Sequence, residues 1–447
     1  VGVVAGINQG NINNIVAFGN NVTTAGGIAG GIAGKNNGKI NNVNVSNIIQ
    51  GDAGGAIIGG VVGENDGYID KVSSSSSIVS LNYESKAMGG VAGINNRELY
   101  NSISTKGVIS GLYGGSSVDD INEYGSSKNV GGIVGINDGI IDASYNDSYV
   151  NGWETVGGVI GENTANGRVC DIVNGSVLYG GGNIGGIVGI NKGEVNDGRN
   201  NGAVEADANH VINGNEKASG TNVGGLVGIN YGSMSNLIND NSAAIIGKAN
   251  VGGIIGSNSG ILTSSHNLMN AGKILGVEYV GGIVGVNEDK GVIVKVENTN
   301  NYMLSYNDLY NGKGEYFGGI IGHNKGVVGD VKNNATIDVI GDVQYIGGII
   351  GRNDGKIASA GKYEYTDVDG YLINNGGVEA KNGKYVGGLI GFNARDIEKT
   401  NLINSITGNV TGLEYVGGLI GDNEASVSGG RDDASNMYQY KVYNNGT

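Results

Sequence analysis

Hydrophobic, glycine and polar positions recur along this chain in one short signature. The signature is an apolar residue, two glycines, two aliphatic residues, a glycine, any residue and an asparagine, as in residues 130–137 and 223–230. Fourteen copies occur, and nine of the 13 intervals between their asparagines are 26–30 residues, whereas four are 37–42 residues. Two further short β-prone runs, separated by polar corners, follow most signatures. Each repeat is therefore predicted to form three short strands and three corners.

A repeat of this size cannot bury a hydrophobic face alone, but stacked copies can pair their strands with the copies above and below. We therefore expect an all-β fold, a parallel β-solenoid (β-helix) of about 14 coils of 28–30 residues. We expect right-handed coils, the commoner hand for parallel connections. Residues 1–447 are expected to form one array, cut from a longer chain because the sequence opens inside a repeat. The lengthened coils lie near 106–128, 205–220, 298–314 and 360–376.

Two local features of the signature lead to further expectations. Nine copies continue as Asn-x-Gly, and we expect a tight turn that uses left-handed backbone angles there. The two aliphatic residues are adjacent, and neighbouring residues on a strand point to opposite faces. One aliphatic row would then fill the coil interior, and the other would need a partner. This predicts self-association, lateral through that row or end-to-end through the strand edges of the terminal coils.

Composition narrows the possible classes of protein. The chain has 447 residues with 89 glycines, no proline and a formal net charge of −15. Collagen needs proline, and glycine disfavours helices. The acidic balance argues against nucleic acid as a partner. No apolar run is long enough to predict a membrane span. The single cysteine, Cys170, is expected to be a small buried apolar residue.

Stacked coils place equivalent residues in rows, and two rows are candidate sites. The closing asparagines are expected to hydrogen-bond along the stack as a structural ladder: Asn137, Asn163, Asn191, Asn230, Asn258, Asn287, Asn324, Asn353, Asn393 and Asn423. Two residues before the first glycine of late signatures stands a tyrosine: Tyr279, Tyr316, Tyr345, Tyr385 and Tyr415. Earlier copies have mostly asparagine there. The tyrosine row is interpreted either as a stack that stiffens the array or as an aromatic binding ladder for sugars or a partner protein.

Catalytic and metal motifs are sparse in this sequence. The three histidines share no spacing, and no nucleophile elbow, phosphate loop or paired-cysteine site occurs. Parallel β-helices host polysaccharide lyases and hydrolases, but the carboxylates here show no repeated cluster, so we expect no enzyme activity and no cofactor. In one lengthened coil, Asp367 and Asp369 resemble part of a calcium loop, and calcium is the metal that such a loop would bind. The acidic insert at 118–124 has a similar composition.

The signature resembles the GLUG motif, a glycine-rich repeat of bacterial surface proteins. The resemblance is carried by the Gly-Gly-aliphatic-aliphatic-Gly-x-Asn-x-Gly stretches, best at residues 186–193, and it extends over essentially the whole chain. Proteins with this repeat are similar to large adhesins and haemagglutinin-like proteins. The resemblance implies an extracellular, cell-surface β-solenoid and transfers no catalytic residue.

Taken with the repeat, the resemblance predicts a non-enzymatic structural or adhesive protein, either a cell-surface stalk or a fibre subunit. The alternative is a glycan-binding adhesin module that uses the late tyrosines, with host or matrix glycans or proteins as partners. A polysaccharide-active β-helix enzyme is the third possibility.

Overall fold

The computed structural model describes most of the chain. The described residues are 1–52, 54–80, 85–110, 127–206, 211–212, 216–217, 220–240, 244–263, 269–270, 273–298, 302–306, 314–359, 361–363, 366–405, 407–428, 442–444 and 446. They contain no helix, and thus none that is long and apolar enough to cross a membrane. They fall into two compact units, Val1–Gly220 with Leu226–Gly232 and Thr221–Gly225 with Ser233–Thr447.

In the first unit, each signature supplies one strand to each of two parallel sheets. The strands that end at the first signature glycine form the glycine sheet: Ile28–Gly30, Ile57–Gly59, Ala87–Gly89, Val130–Gly131, Val156–Gly157 and Ile184–Gly185. The strands that end at the asparagine form the asparagine sheet: Ala5–Asn8, Ala33–Asn36, Val62–Asn65, Ala92–Asn95, Val134–Asn137, Ile160–Asn163, Val188–Asn191 and Val227–Asn230.

The remaining parallel strands of the first unit form a third sheet. They are Asn11–Thr24, Lys39–Gly51, Tyr68–Ser74, Ser77–Ser80, Glu98–Tyr100, Ile103–Ser110, Ile140–Asn151, Arg168–Asn174, Leu178–Gly180, Glu194–Asn200 and Val204–Ala206. One lengthened coil carries a small antiparallel pair, Val211–Ile212 with Glu216–Lys217. The insert at 118–124 lies outside the described residues.

The second unit repeats this plan. Its glycine sheet contains Thr221–Gly224, Ala249–Gly252, Glu278–Gly281, Gly314–Gly318, Val343–Gly347, Lys384–Gly387 and Glu414–Gly417. Its asparagine sheet contains Ile255–Asn258, Val284–Asn287, Ile321–Asn324, Ile350–Asn353, Ile390–Asn393 and Ile420–Asn423.

The third sheet of the second unit is more interrupted. It contains Ser233–Asn239, Ile245–Ile246, Ile261–Thr263, Met269–Asn270, Ile274–Gly276, Val292–Asn298, Tyr302–Tyr306, Val327–Asn333, Ile337–Ile340, Lys356–Ile357, Tyr371–Asn374, Val378–Glu379, Asn401–Asn404, Val410–Thr411 and Val442–Asn444. Gly361–Tyr363 and Thr366–Val368 form an antiparallel hairpin, and Ile397–Glu398 pairs in parallel with Val427–Ser428.

The fold class expected from the repeat is confirmed within each unit. Signature residues pair only with their equivalents in the neighbouring copy, as Val134 with Ile160 and Asn137 with Asn163. The three strands per repeat and the parallel stacking of coils therefore match the prediction of a parallel β-solenoid.

The expectation of an unpartnered aliphatic row is wrong. Both aliphatic residues of the signature are fully buried, for example Ile133 and Val134 in the first unit and Ile320 and Ile321 in the second. The alternation rule fails because these residues flank a corner: one strand ends at Gly131 and the next begins at Val134. Both side chains therefore point into the coil interior, and no second copy is needed to cover either row.

The signature glycines are required by close approach, not by unusual backbone angles. A Cβ on Gly132 would lie 2.0 Å from the carbonyl oxygen of Gly158 and 2.3 Å from the Asn146 side chain. A Cβ on the turn glycine Gly193 would lie 2.2 Å from the Gly167 oxygen. Neither Gly132 nor Gly193 has a positive φ. The left-handed turn predicted for Asn-x-Gly is therefore wrong, and the glycine is needed because the next coil passes too close for a side chain.

Candidate functional site

The predicted asparagine ladder is present in both units. In the first unit, the side-chain Nδ2 of each closing asparagine donates to Oδ1 of the next, from Asn8 to Asn230, at 2.7–2.9 Å. In the second unit, the same bonds join Asn258 to Asn423 in order at 2.8–2.9 Å. All donors point the same way along each ladder, so the amide dipoles reinforce one another.

Many asparagines of this ladder, Asn191 among them, also hydrogen-bond to the backbone of their own turn. Asn191 Nδ2 lies 3.3 Å from the carbonyl oxygen of Gly193, and the Gly193 amide donates to Asn191 Oδ1 at 3.2 Å. Asn191 is fully buried and its two polar atoms are occupied. The ladder is thus committed to structure and presents no ligand site.

A second asparagine ladder was not predicted from the sequence. It links asparagines of third-sheet strands, at 2.8–3.1 Å, and all but Asn146 stand at the end of their strand: Asn146, Asn174 and Asn200 in the first unit, and Asn298, Asn333, Asn374, Asn404 and Asn444 in the second. A signal existed, since Asn146, Asn200 and Asn333 each follow a closing asparagine by nine residues. The abundance of asparagine in the corners concealed this spacing.

The tyrosine row forms a stack in the second unit. Neighbouring ring centroids lie 5.4, 5.1, 4.8 and 4.8 Å apart from Tyr279 to Tyr415, with interplanar angles of 9–15°. All five tyrosines have φ between 55° and 61°. This left-handed conformation is unusual for an aromatic residue and costs about 1–2 kcal/mol. Ring stacking offsets that cost, whereas Asn222 and Asn250 fill the same row with a residue that tolerates the conformation.

Polar and aromatic side chains of the asparagine sheet pack against this stack. His323 stacks on Tyr279, with centroids 4.9 Å apart. Arg352 lies over the rings of Tyr316 and Phe392, and its Nη1 donates to the Tyr316 hydroxyl at 3.1 Å. These contacts connect the tyrosine row to the side chains at the position before the closing asparagine, a row that the sequence did not single out.

Asp354 is the common partner of this cluster. Arg352 donates to both of its carboxylate oxygens, at 2.6 and 3.2 Å, and His323 Nε2 lies 2.7 Å from Oδ2. Burial alone would raise the pKa of Asp354, but the hydrogen bonds from Arg352 and His323 outweigh it and lower that pKa. The hydrogen bond to Asp354 raises the pKa of Arg352.

The environment of this cluster lowers the pKa of His323. Burial lowers its pKa, and this effect exceeds the opposing influence of Asp354. Because an ionised Asp354 can only accept a hydrogen bond, the contact requires the proton on Nε2, and Nδ1 is buried with no hydrogen-bond partner among the described residues. A second proton on Nδ1 would create a buried, unpaired donor, which agrees with the lowered pKa.

The other candidate residues stand apart from this cluster. Asp369 is exposed, and its backbone amide donates to both oxygens of the buried Asp330, at 2.9 and 3.0 Å. The side chain of Asp367 lies outside the described residues, so calcium binding stays a prediction. No group of three or more His, Cys, Asp or Glu side chains able to hold a metal occurs in the described part of the chain.

Cys170 differs from the expectation. It is partly exposed, and its Sγ contacts Asp197 at 3.7 Å. Partial burial and the nearby carboxylates of Asp142 and Asp197 raise the pKa of the thiol. The prediction of a buried apolar cysteine is wrong because the residue lies on the outer side of a third-sheet strand.

Comparisons of this chain with protein-family models, curated proteins and solved structures find no match. The resemblance to the GLUG repeat therefore rests on the quoted residues alone.

Proposed function

We propose that this chain is a non-enzymatic, extracellular structural or adhesive repeat protein, either a cell-surface stalk or a subunit of a fibre. The main support for the proposal is that every recurrent residue type of the signature has a structural role. The glycines allow close stacking, the aliphatic residues fill the interior, and the asparagines bond from coil to coil. The recurrent residues of the repeat therefore have structural roles, and few of them remain available for binding or catalysis.

The distribution of charged groups supports a non-enzymatic role. Lys35 binds both Glu64 and Asp66, at 3.0 and 2.6 Å, and Lys325 binds Glu288 at 3.1 Å. These are contacts between neighbouring coils, worth up to about 1 kcal/mol each at a surface. Acidic side chains with such partners favour register between coils over acid–base catalysis.

The extracellular location and the adhesive role rest on the resemblance to the GLUG repeat. Protease treatment of intact source cells, followed by immunoblotting, tests the location. The proposal expects the chain to be cleaved without lysis. Protection until lysis would contradict it.

Glycan binding through the late tyrosines is the second candidate function, favoured by the presence of the aromatic stack. Sugars bind aromatic residues mainly through ring faces, and the faces of Tyr316, Tyr345 and Tyr385 are each covered by two neighbouring rings. The stack thus favours a structural role for these rings. A glycan array that shows binding abolished by Tyr385→Ala but retained in Tyr179→Ala would instead support the binding role.

Self-association is proposed as part of the fibre function. Because both aliphatic rows are buried in the coil interior, it would not depend on an exposed aliphatic face. Electron microscopy of the native material separates the candidates. The structural proposal expects filaments or surface fibres that contain this chain. Isolated particles that remain monomeric at high concentration would contradict the fibre form of the proposal.

A further inference from the structure

The stacked tyrosines of the second unit place phenol rings in a geometry suited to a covalent reaction. Tyr345 and Tyr385 have ring centroids 4.8 Å apart and an interplanar angle of 14°, and Tyr385 and Tyr415 have the same spacing with an angle of 9°. In such face-to-face rings, the π orbitals on the ring carbons beside the hydroxyl point toward the neighbouring ring. The left-handed backbone at each tyrosine fixes these positions in successive coils.

We propose that this row is a site of oxidative dityrosine formation, which joins adjacent coils through Tyr345–Tyr385 and Tyr385–Tyr415. The oxidant is a peroxide used by a haem peroxidase, which removes one electron and one proton from each of two phenols. The two phenoxyl radicals form one carbon–carbon bond between ring positions beside the hydroxyls. The hydrogens on those carbons then move to the oxygens, which restores both phenols. One peroxide is reduced to two waters for each bond formed.

The position of Arg352 favours the reaction at the Tyr345–Tyr415 end of the row over the Tyr279–Tyr316 end. Arg352 lies over the Tyr316 ring with its guanidinium carbon 5.2 Å from the centroid, and a cation there opposes loss of an electron from that ring. The Tyr279–Tyr316 pair is also the widest, at 5.4 Å. Tyr385 has stacked neighbours on both faces, so a radical formed on it can couple with whichever of Tyr345 and Tyr415 is oxidised as well.

The chain provides an internal comparison. Tyr68–Tyr100 and Tyr149–Tyr179 also lie on adjacent coils, but their centroids are 5.7 and 5.6 Å apart and their rings are tilted by 42° and 37°. Their orbitals are poorly aligned for coupling. Tyr231 is 53% exposed, and its accessibility favours coupling between molecules instead of within one.

The test treats the dilute full-length chain with hydrogen peroxide and a haem peroxidase. Peptide mapping by mass spectrometry then identifies joined peptides that have lost two hydrogen atoms. The expected result is that joined Tyr345–Tyr385 or Tyr385–Tyr415 peptides dominate over joined peptides from the tilted pairs. Tyr385→Phe keeps an aromatic ring in the stack but removes the phenol, so it should lose these peptides and most of the dityrosine fluorescence.

Tyr179→Phe is the matched control and should keep the signal of the unaltered chain. Circular dichroism of both variants checks that they fold alike. The proposal is overturned if dityrosine forms mainly between molecules through Tyr231, or if Tyr385→Phe and Tyr179→Phe reduce the signal equally. These outcomes are independent of the proposed structural function, since filaments can form with or without the cross-link.

Discussion

Individual residues in this protein are fixed by the distance to the next coil. Gly132 is glycine because a carbonyl oxygen and an asparagine side chain occupy the space where a Cβ would lie. Asn191 is asparagine because one side chain must both donate to and accept from equivalents in the neighbouring coils. Tyr385 occupies a left-handed corner because two stacked rings offset the cost of that conformation. Substitutions at such positions should act through the stack.

Replacing Asn191 with alanine should destabilise the protein. The change removes two ladder bonds of 2.8 Å in a fully buried row and weakens the bonding of Asn163 and Asn230. A loss of about 3 kcal/mol in the free energy of unfolding is expected. Chemical denaturation of Asn191→Ala beside Asn13→Ala, an exposed asparagine, measures it. Equal stability of the two variants would show that the ladder contributes nothing.

The third glycine of the signature provides a matched pair of variants. A Cβ on Gly135 would lie 2.6 Å from the Met88 nitrogen and 2.7 Å from the Gly93 oxygen, whereas Gly6, at the same repeat position, has open space around it. Gly135→Ala should cost at least about 2 kcal/mol, because a packed backbone has to move. Gly6→Ala should be nearly neutral. Thermal unfolding of both variants tests this, and a neutral Gly135→Ala would refute the close-approach explanation.

The His323 cluster predicts acid sensitivity. The pKa of His323 is lowered from an ordinary value of 6.5, so in the window just below that value the unfolded chain binds more protons than the folded chain. Stability is therefore expected to fall as the pH drops through this window and, because the pKa of Asp354 is also lowered, to fall again below 3.8.

Urea denaturation at about pH 7.5 and about pH 5.5 measures the first of these changes. His323→Gln should reduce the difference in unfolding free energy between the two pH values. Lys325→Gln, in the same strand region, should leave most of that difference in place. A pH dependence that is the same with and without His323 would assign the effect to other groups.

At the scale of the element, the corner explains what the sequence could and could not predict. The signature period predicted the strands, their parallel pairing and the rows of Asn137–Asn163 and Tyr345–Tyr385, because a repeat that pairs with itself places like residues side by side. It could not predict that Ile133 and Val134 both point inward. Both side chains point inward because the chain bends at Gly132–Ile133. The alternation of hydrophobic and polar residues within a strand does not reveal where such a bend lies.

The candidate cluster was less predictable than the ladders. His323, Arg352 and Phe392 stand at the variable position before the closing asparagine, and the same position is isoleucine, glutamate or another residue in other copies. Their contact with the tyrosine row depends on two sheets meeting at one corner. The repeat pattern relates equivalent positions of successive coils and carries no information about contacts between different positions, whereas the folded chain makes such contacts.

The tyrosine row should behave as one cooperative element. Tyr385→Asn keeps a residue that accepts left-handed angles but removes two stacked contacts, each worth about 0.5–1.5 kcal/mol beyond burial. We expect a loss of about 2 kcal/mol in unfolding free energy by denaturant titration, whereas Tyr385→Phe should lose little. If Asn and Phe are equally tolerated, stacking is not what stabilises this corner.

At the scale of the whole molecule, each unit is built by stacking one repeat on the next in a constant register. Asn-to-Asn, Gly-to-Gly and aliphatic-to-aliphatic pairing recur in every described signature strand pair of a unit. The proposed structural function depends on this register, since a slip by one residue would move interior side chains within the strands to the outer face.

Disulfide trapping tests the register most directly. Glu162 pairs with Ile190 in the next coil, and Ile190 pairs with Ile229 one coil further. In a Cys170→Ser background, Glu162→Cys with Ile190→Cys should oxidise to an intramolecular disulfide, because Cβ atoms on paired parallel strands lie close enough to bridge after a small adjustment. Glu162→Cys with Ile229→Cys should not, since two coils separate them. A disulfide between positions 162 and 229, with 162 and 190 remaining free thiols, would contradict one repeat per coil.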